Sequence, residues 1–320
     1  MTPALAAEGL SRVFGGGRRL LGPAAPAVHA VQEVDLAVAV GETVGVVGES
    51  GCGKSTLARM LVGLDRPSGG RVLIDGEESG SIGRHRRSRR VQYVFQHPHA
   101  SLNPRKTVRR ALEAPMRRLL GLGAAEREGR LARLAEATGL GPDLLDRHPH
   151  ELSGGQAQRV AVARALAAEA KIVVFDEPVS ALDVSVQAQV LNLLDRLKRQ
   201  FRLTYVFISH DLSVVESVAD RVAVMYFGRI VEIGRARDLF RRPRHPYTDL
   251  LMRSAPAPGK RRIEPERGAP ELPDPTRPPP GCPFAPRCPR VADRCRVERP
   301  LLDGAPGQTR AACWRPLDAA

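Results

Sequence analysis

The sequence predicts an α/β fold: a phosphate-binding strand, loop and helix in a largely parallel sheet, an inserted helical subdomain, an antiparallel β edge and a short Cys-rich C-terminal extension. Three observations carry this expectation. Thr43–Val47 (TVGVV) is a β-branched apolar run leading into residues 48–55 (GESGCGKS), and residues 56–64 (TLARMLVGL) continue with helical spacing. Residues 172–178 (IVVFDEP) form a second buried-strand run that ends in two carboxylates. Between these two segments, residues 108–145 are rich in Leu, Ala, Arg and Glu, as an inserted helical layer would be.

Each element has its own reason. In the loop Gly48, Glu49, Ser50, Gly51, Cys52, Gly53, Lys54 and Ser55, followed by Thr56, the spacing is G-x-x-x-x-G-K-S. Its backbone N–H groups and the positive end of the next helix surround a polyphosphate, with Lys54 reaching the β/γ-phosphates and Ser55 the metal. VQYVFQ is an apolar run closed by Gln96, and the helical stretch after it breaks at residues 121–123 and 139–142. This places a helical subdomain at about residues 97–165. Within it, residues 152–156 read LSGGQ: Ser153, Gly154 and Gly155 open a helix, the glycines allow close backbone approach, and the helix N-terminus attracts an anion. A Ser-capped helix with permissive glycines is the purely structural alternative. Asp176 and Glu177 close one strand, His210 closes the run TYVFISH, and residues 221–234 (RVAVMYFGRIVEIG) predict a hairpin turned at Phe227 and Gly228.

In this order and spacing the motifs resemble the ATP-binding cassette (ABC) family. The resemblance implies a P-loop NTPase cassette with a RecA-like core over about residues 1–240, with ATP and Mg2+ as its ligands. It implies that Asp176 holds magnesium through water beside Ser55 and Gln96, and that Glu177 is the general base. Gln96 matches the glutamine that contacts metal and attacking water and senses a membrane partner, and His210 the histidine that bonds the γ-phosphate. By the same resemblance, Asp183, in SALD at residues 180–183, is expected at a dimer seam, and Phe14 is expected to stack on adenine. The resemblance also implies that Ser153, Gly154, Gly155 and Gln156 serve the γ-phosphate bound by a partner cassette, with two cassettes packed head to tail. One departure is Ala157, where the family commonly has a basic residue; altered local packing or signalling is expected there rather than lost hydrolysis.

Composition narrows the function classes. A chain of 320 residues has room for one cassette and an additional module. The net charge of +14 invites a nucleic-acid reading, yet only five basic residues are Lys (Lys54, Lys106, Lys171, Lys198 and Lys260), and the Ala/Gly/Pro/Arg richness points to base-composition bias. The run Arg84–Arg90 (RHRRSRR) has no interleaved aromatics for base stacking and reads as a solvated loop, with contact to anionic lipid or nucleic acid as the alternative. No stretch of eighteen apolar residues and no secretion signal is present. The expectation is a cytosolic chain, peripheral to the membrane, docking on separate permease subunits, with no nucleic-acid partner. A repair-type ABC ATPase would separate the loop and signature by long coiled coils, and a translation factor would fuse two cassettes. This chain does neither, and a binding-only cassette is disfavoured because every hydrolytic position is filled.

The extension, about residues 241–320, refines the resemblance. Residues 101–105 (SLNPR) and His245, Pro246 and Tyr247 match the oligopeptide and dipeptide importer branch, closest to its dipeptide-type second ATPase. This implies a second ATPase subunit, two permeases and an extracytoplasmic binding protein; nickel and glutathione importers share the extension. Cys282, Cys288, Cys295 and Cys313 follow as C-x5-C-x6-C-x17-C after a Pro-rich stretch that runs to Pro280. Clustered cytosolic thiols favour a metal over disulfides, and zinc or plain thiols stay open beside the four-cysteine [4Fe-4S] cluster that the resemblance implies.

Overall fold

The computed structural model describes residues 2–16, 26–254, 273–304 and 307–317. β1 (Leu5–Phe14), β2 (Val28–Val38), β4 (Gly69–Ile74) and β5 (Glu77–Glu78) form an antiparallel sheet in the order β2-β1-β4-β5. The larger sheet contains β3 (Thr43–Val47), β6 (Val91–Val94), β7 (Ile172–Asp176), β8 (Thr204–Ile208), β9 (Arg221–Tyr226), β10 (Arg229–Arg235) and β11 (Arg310–Ala311), ordered β11-β10-β9-β3-β8-β7-β6. Its strands β9, β3, β8, β7 and β6 are parallel. Every residue of β3, β7 and β8 is buried, which is why these strands read as continuous apolar runs rather than alternating ones.

The period of two sorts side chains between two apolar layers. Ile172, Val174, Val206 and Ile208 face the antiparallel sheet and α1 (Lys54–Leu61), whereas Val173, Phe175, Tyr205 and Phe207 face Leu193, Leu194 and Leu197 of the long helix Val184–Phe201. The helix expected to run through residue 64 stops at Leu61, because Gly63 turns the chain at φ 72°. Arg84–Arg90 is also corrected: the run is a helix, α2, rather than a loop. None of its residues is buried, and arginine is a good helix former. Arg87 donates to the Ser79 and Gly63 carbonyls, and Arg86 and Arg90 both reach Glu77.

The insertion comprises α3 (Pro98–Ser101), α4 (Val108–Leu120), α5 (Ala124–Thr138) and α6 (Gly154–Leu166), and Gly121 and Gly139 cap α4 and α5 at the expected breaks. Its core is separate from the sheet layers and includes Leu112, Leu131, Leu145, Leu152 and Val160. Ala157 is fully buried in this core, so the inward face of α6 has no water for a basic side chain there. After α6 come α7 (Val184–Phe201) and α8 (Leu212–Val218), the latter packed on β3.

Beyond the β9–β10 hairpin, whose turn residues Phe227 and Gly228 have φ 47° and 77°, lie α9 (Ala236–Arg241), α10 (Pro246–Ser254) and α11 (Asp293–Val297). Part of the expected Pro-rich stretch, residues 255–272, lies outside the described residues. The remainder of the extension packs on the cassette. β11 pairs antiparallel with β10, matching Glu232 with Ala311. Phe284 is buried against Tyr226 and Tyr247, each at 5.4 Å between ring centroids. Glu232, fully buried, accepts the Arg244 and His245 N–H groups at 2.8 Å each and fixes the entry to α10.

Candidate active site

The nucleotide loop leaves β3 and wraps the start of α1. Its first glycine, Gly48 (φ 155°), has no room for a Cβ, which would strike the Met225 carbonyl at the end of β9; at Gly53 (φ 104°) a Cβ would strike the Ala30 carbonyl of β2. Both sheets thus press on the loop. Lys54 is buried, and its Nζ donates to the Gly48 and Glu49 carbonyls at 2.8 Å, which ties the start of α1 back to the first turn of the loop. Cys52 is buried beside Lys54, and burial pushes its thiol pKa up.

Three parallel strands bring the remaining groups together at their C-terminal ends. Ser55 Oγ donates to Asp176 Oδ1 at 3.0 Å. One residue on, Glu177 has φ 48°, a left-handed conformation that a non-glycine residue adopts at some cost. Its N–H donates to the Ile208 carbonyl at 3.0 Å, so the end of β8 holds this kink. The carboxylate is thereby aimed so that Gln96 Nε2 donates to Oε2 at 3.1 Å and His210 Nδ1 stands 3.1 Å from the same oxygen. Glu177 is 17% exposed and His210 56%, so the carboxylate is sheltered with the imidazole at its open side. Sequence reasoning missed Tyr93, whose hydroxyl donates to Asp176 Oδ2 at 2.6 Å. Burial, and then Asp176 itself, push the Tyr93 pKa far up, so it remains a neutral donor.

The signature segment stands apart from this group. Ser153 caps α6: its Oγ accepts the Gln156 N–H at 3.3 Å, and Gln156 Oε1 accepts the Ser153 N–H at 2.9 Å. Ser153 and Gly154 are exposed, and none of their hydrogen bonds reaches the nucleotide loop. Gly155 has an internal reason to be glycine, since a Cβ would come within 2.6 Å of Val186 Cγ1 on α7. Asp183 caps α7 through the Val186 N–H at 2.9 Å. Phe14 ends β1 opposite Val28, two residues from the Ala30 carbonyl that supports Gly53, and the Arg12 guanidinium lies 4.5 Å over its ring.

In the extension, Cys282, Cys288, Cys295 and Cys313 line one small pocket of about 10 Å³ with His245, Phe284 and Trp314. Burial pushes the Cys282 thiol up to about 11, with the other three cysteines adding to the shift. Among the described residues, no group of three or more His, Cys, Asp or Glu side chains has an arrangement that could hold a metal ion.

Known proteins are similar to this chain in sequence and fold. The ABC transporter family profile matches residues 31–180, and the profile for the oligopeptide/dipeptide transporter C-terminal region matches residues 231–295. The chain is 44% identical to the dipeptide transport ATP-binding protein DppF of Haemophilus influenzae over 318 residues, 98% of this chain and 97% of that protein. It is 44% identical to the oligopeptide transport ATP-binding protein AppF of Bacillus subtilis over 293 residues, 89% of each. Among solved structures, a dimeric post-hydrolysis form of the ATP-binding cassette MJ0796, bound to ADP and phosphate, superposes with a TM-score of 0.65. It is 28% identical, and the match covers 73% of this chain and 99% of that one.

Proposed function

The chain belongs to the ABC transporter ATP-binding subunits that carry the oligopeptide/dipeptide C-terminal region, and from that premise we propose how its site hydrolyses ATP and what the hydrolysis serves. The chain is the ATPase subunit of a peptide ABC importer. The observation that carries the catalytic reading is the convergence of Gln96 and His210 on one oxygen of Glu177, beside the Ser55–Asp176 pair. Glu177 is the general base that polarises the attacking water, and Gln96 and His210 orient it. His210, on the open side, also bonds the γ-phosphate, while Lys54 balances charge on the β/γ-phosphates. Ser55 Oγ and the Asp176 carboxylate are hard oxygen donors that fit magnesium, with Gln96 nearby; the ion would supply charge neutralisation to the phosphates. Catalysis here is positioning and electrostatics rather than covalent chemistry.

The exposed Ser153 and Gly154, together with Gln156 and Asp183, meet the nucleotide of a second ABC ATPase subunit packed head to tail. Two permease subunits receive the pair at the cytoplasmic face of the membrane, and an extracytoplasmic binding protein delivers di- or oligopeptide cargo to them. Two observations support the peripheral placement: among the described residues no helix is long and apolar enough to cross a membrane, and the insertion has its own core, as a docking module needs. The resemblance implies a [4Fe-4S] cluster on the four cysteines, which share one small pocket; as they stand among the described residues they are not arranged to hold a metal ion, so a cluster there would require the thiols to rearrange around it. Reconstitution with the permeases, the second ATPase and the binding protein in proteoliposomes tests the function. ATP hydrolysis should rise with di- or tripeptide, and stimulation by nickel or glutathione alone would reassign the cargo.

A further inference from the structure

We propose that Arg287 and Tyr247 are positioning residues of the nucleotide loop, so that the C-terminal extension forms part of the ATP site; this deepens the ATPase reading and rests on it. Glu49, the second residue of the loop, is held at three points. Arg287 Nη1 and Nη2 donate to its two carboxylate oxygens at 2.8 Å each, a bidentate fork across 238 residues of sequence. Its N–H donates to Tyr247 Oη at 2.9 Å, and its carbonyl accepts from Lys54 Nζ at 2.8 Å. Two of the three restraints come from the extension, and the third is the lysine that meets the phosphates.

Exposed ion pairs contribute little, but this one is forked, half-buried and braced. Arg287 is 16% exposed, and its guanidinium lies 5.9 Å from the Tyr226 ring and 5.8 Å from the Phe284 ring. Tyr226 follows Met225, whose carbonyl sits against Gly48, so the same wall braces both ends of the loop's first turn. The fork has two consequences. It pre-orders the loop so that less freedom is lost when phosphate arrives. It also neutralises a carboxylate that would otherwise repel the incoming polyphosphate.

The test measures Mg-ATP affinity, KM and kcat on the full chain, with Trp314, its single tryptophan, reporting whether the extension stays docked. Arg287→Ala should weaken ATP binding about tenfold with kcat at saturation nearly unchanged, Arg287→Lys should fall between, and Tyr247→Phe should weaken it about threefold. In a Glu49→Gln background, where no charge remains to neutralise, the Arg287→Ala penalty should shrink to about twofold. Unchanged or tighter ATP binding by Arg287→Ala, an equal penalty in both backgrounds, or a fall in kcat at constant KM would overturn the proposal. Binding lost in Lys54→Ala but intact in Arg287→Ala would remove the positioning role and leave the ATPase reading standing; a wild-type chain that binds no ATP would overturn both.

Discussion

Tyr93 donates its hydroxyl to Asp176 Oδ2 while Ser55 donates to Oδ1, so the two oxygens of one carboxylate at the end of β7 are assigned separate partners. Tyr93 comes from the adjacent strand β6 and is buried, so it fixes the plane of the carboxylate and leaves Oδ1 turned toward the nucleotide loop. Tyr93→Phe keeps the ring and removes the donor to a charged acceptor, which should lower stability by about 1.5–3 kcal/mol. Urea unfolding of the two proteins measures this. A change within error would mean that water replaces the hydroxyl.

Glu177→Gln keeps the shape of the side chain and removes its basicity. Hydrolysis should slow by on the order of 10²- to 10⁴-fold while ATP binding persists. Single-turnover hydrolysis with the partner ATPase present is the measurement. A near-normal rate would show that another group activates the water or that the partner's site does the chemistry.

The motif residues were legible because their chemistry is local. GESGCGKS, IVVFDE and TYVFISH each carry a strand and the group at its end, and those strand ends meet in space because parallel strands share a direction. Tyr93 was hidden because an aromatic in an apolar run reads as core, and only the β6–β7 register reveals its acceptor. Arg287 was hidden for a stronger reason. Its partner lies 238 residues away, and no periodicity links a tail arginine to a loop carboxylate. The α2 helix was misjudged as a loop because its arginines bury nothing, leaving no apolar stripe to betray helical period.

Gly155→Ala should destabilise the fold by about 1–3 kcal/mol, because the added methyl meets Val186, whose β-branched side chain has little rotamer freedom on a helix. The double variant Gly155→Ala/Val186→Ala should recover most of that loss. Thermal unfolding of the single and double variants without nucleotide separates this packing role from any contact with a partner's ATP. Equal stabilities for wild type and Gly155→Ala would show that α7 yields freely.

The head-to-tail pairing predicts complementation between inactive chains. Lys54→Ala damages the site a chain carries, and Ser153→Ala damages the site it completes for its partner. Both changes made in one subunit of a pair should therefore leave neither composite site whole. Placed in opposite subunits, the two changes fall in the same composite site and leave the other intact, restoring about half the activity. ATP-dependent association and hydrolysis of defined pairs decide this. Full-rate hydrolysis by a strict monomer would sink the pairing.

The four cysteines lead to the remaining prediction. They line one small pocket, burial pushes the Cys282, Cys288 and Cys313 thiols up, and thiolates gathered there would need a cation to join them. With the cluster that the resemblance implies, the chain purified without oxygen should carry iron and sulfide, absorb in the visible, and show quenched fluorescence from Trp314, which lies on the same pocket. Changing Cys282, Cys288, Cys295 or Cys313 to Ser should remove the iron and loosen residues beyond Pro280. Arg287 precedes Cys288 directly, so loosening there should weaken ATP binding in the direction of Arg287→Ala rather than abolish it. Stoichiometric zinc would transfer the site to the other metal. Metal-free protein under anaerobic conditions, with Trp314 unquenched, would leave four reduced thiols whose burial serves only to dock the extension.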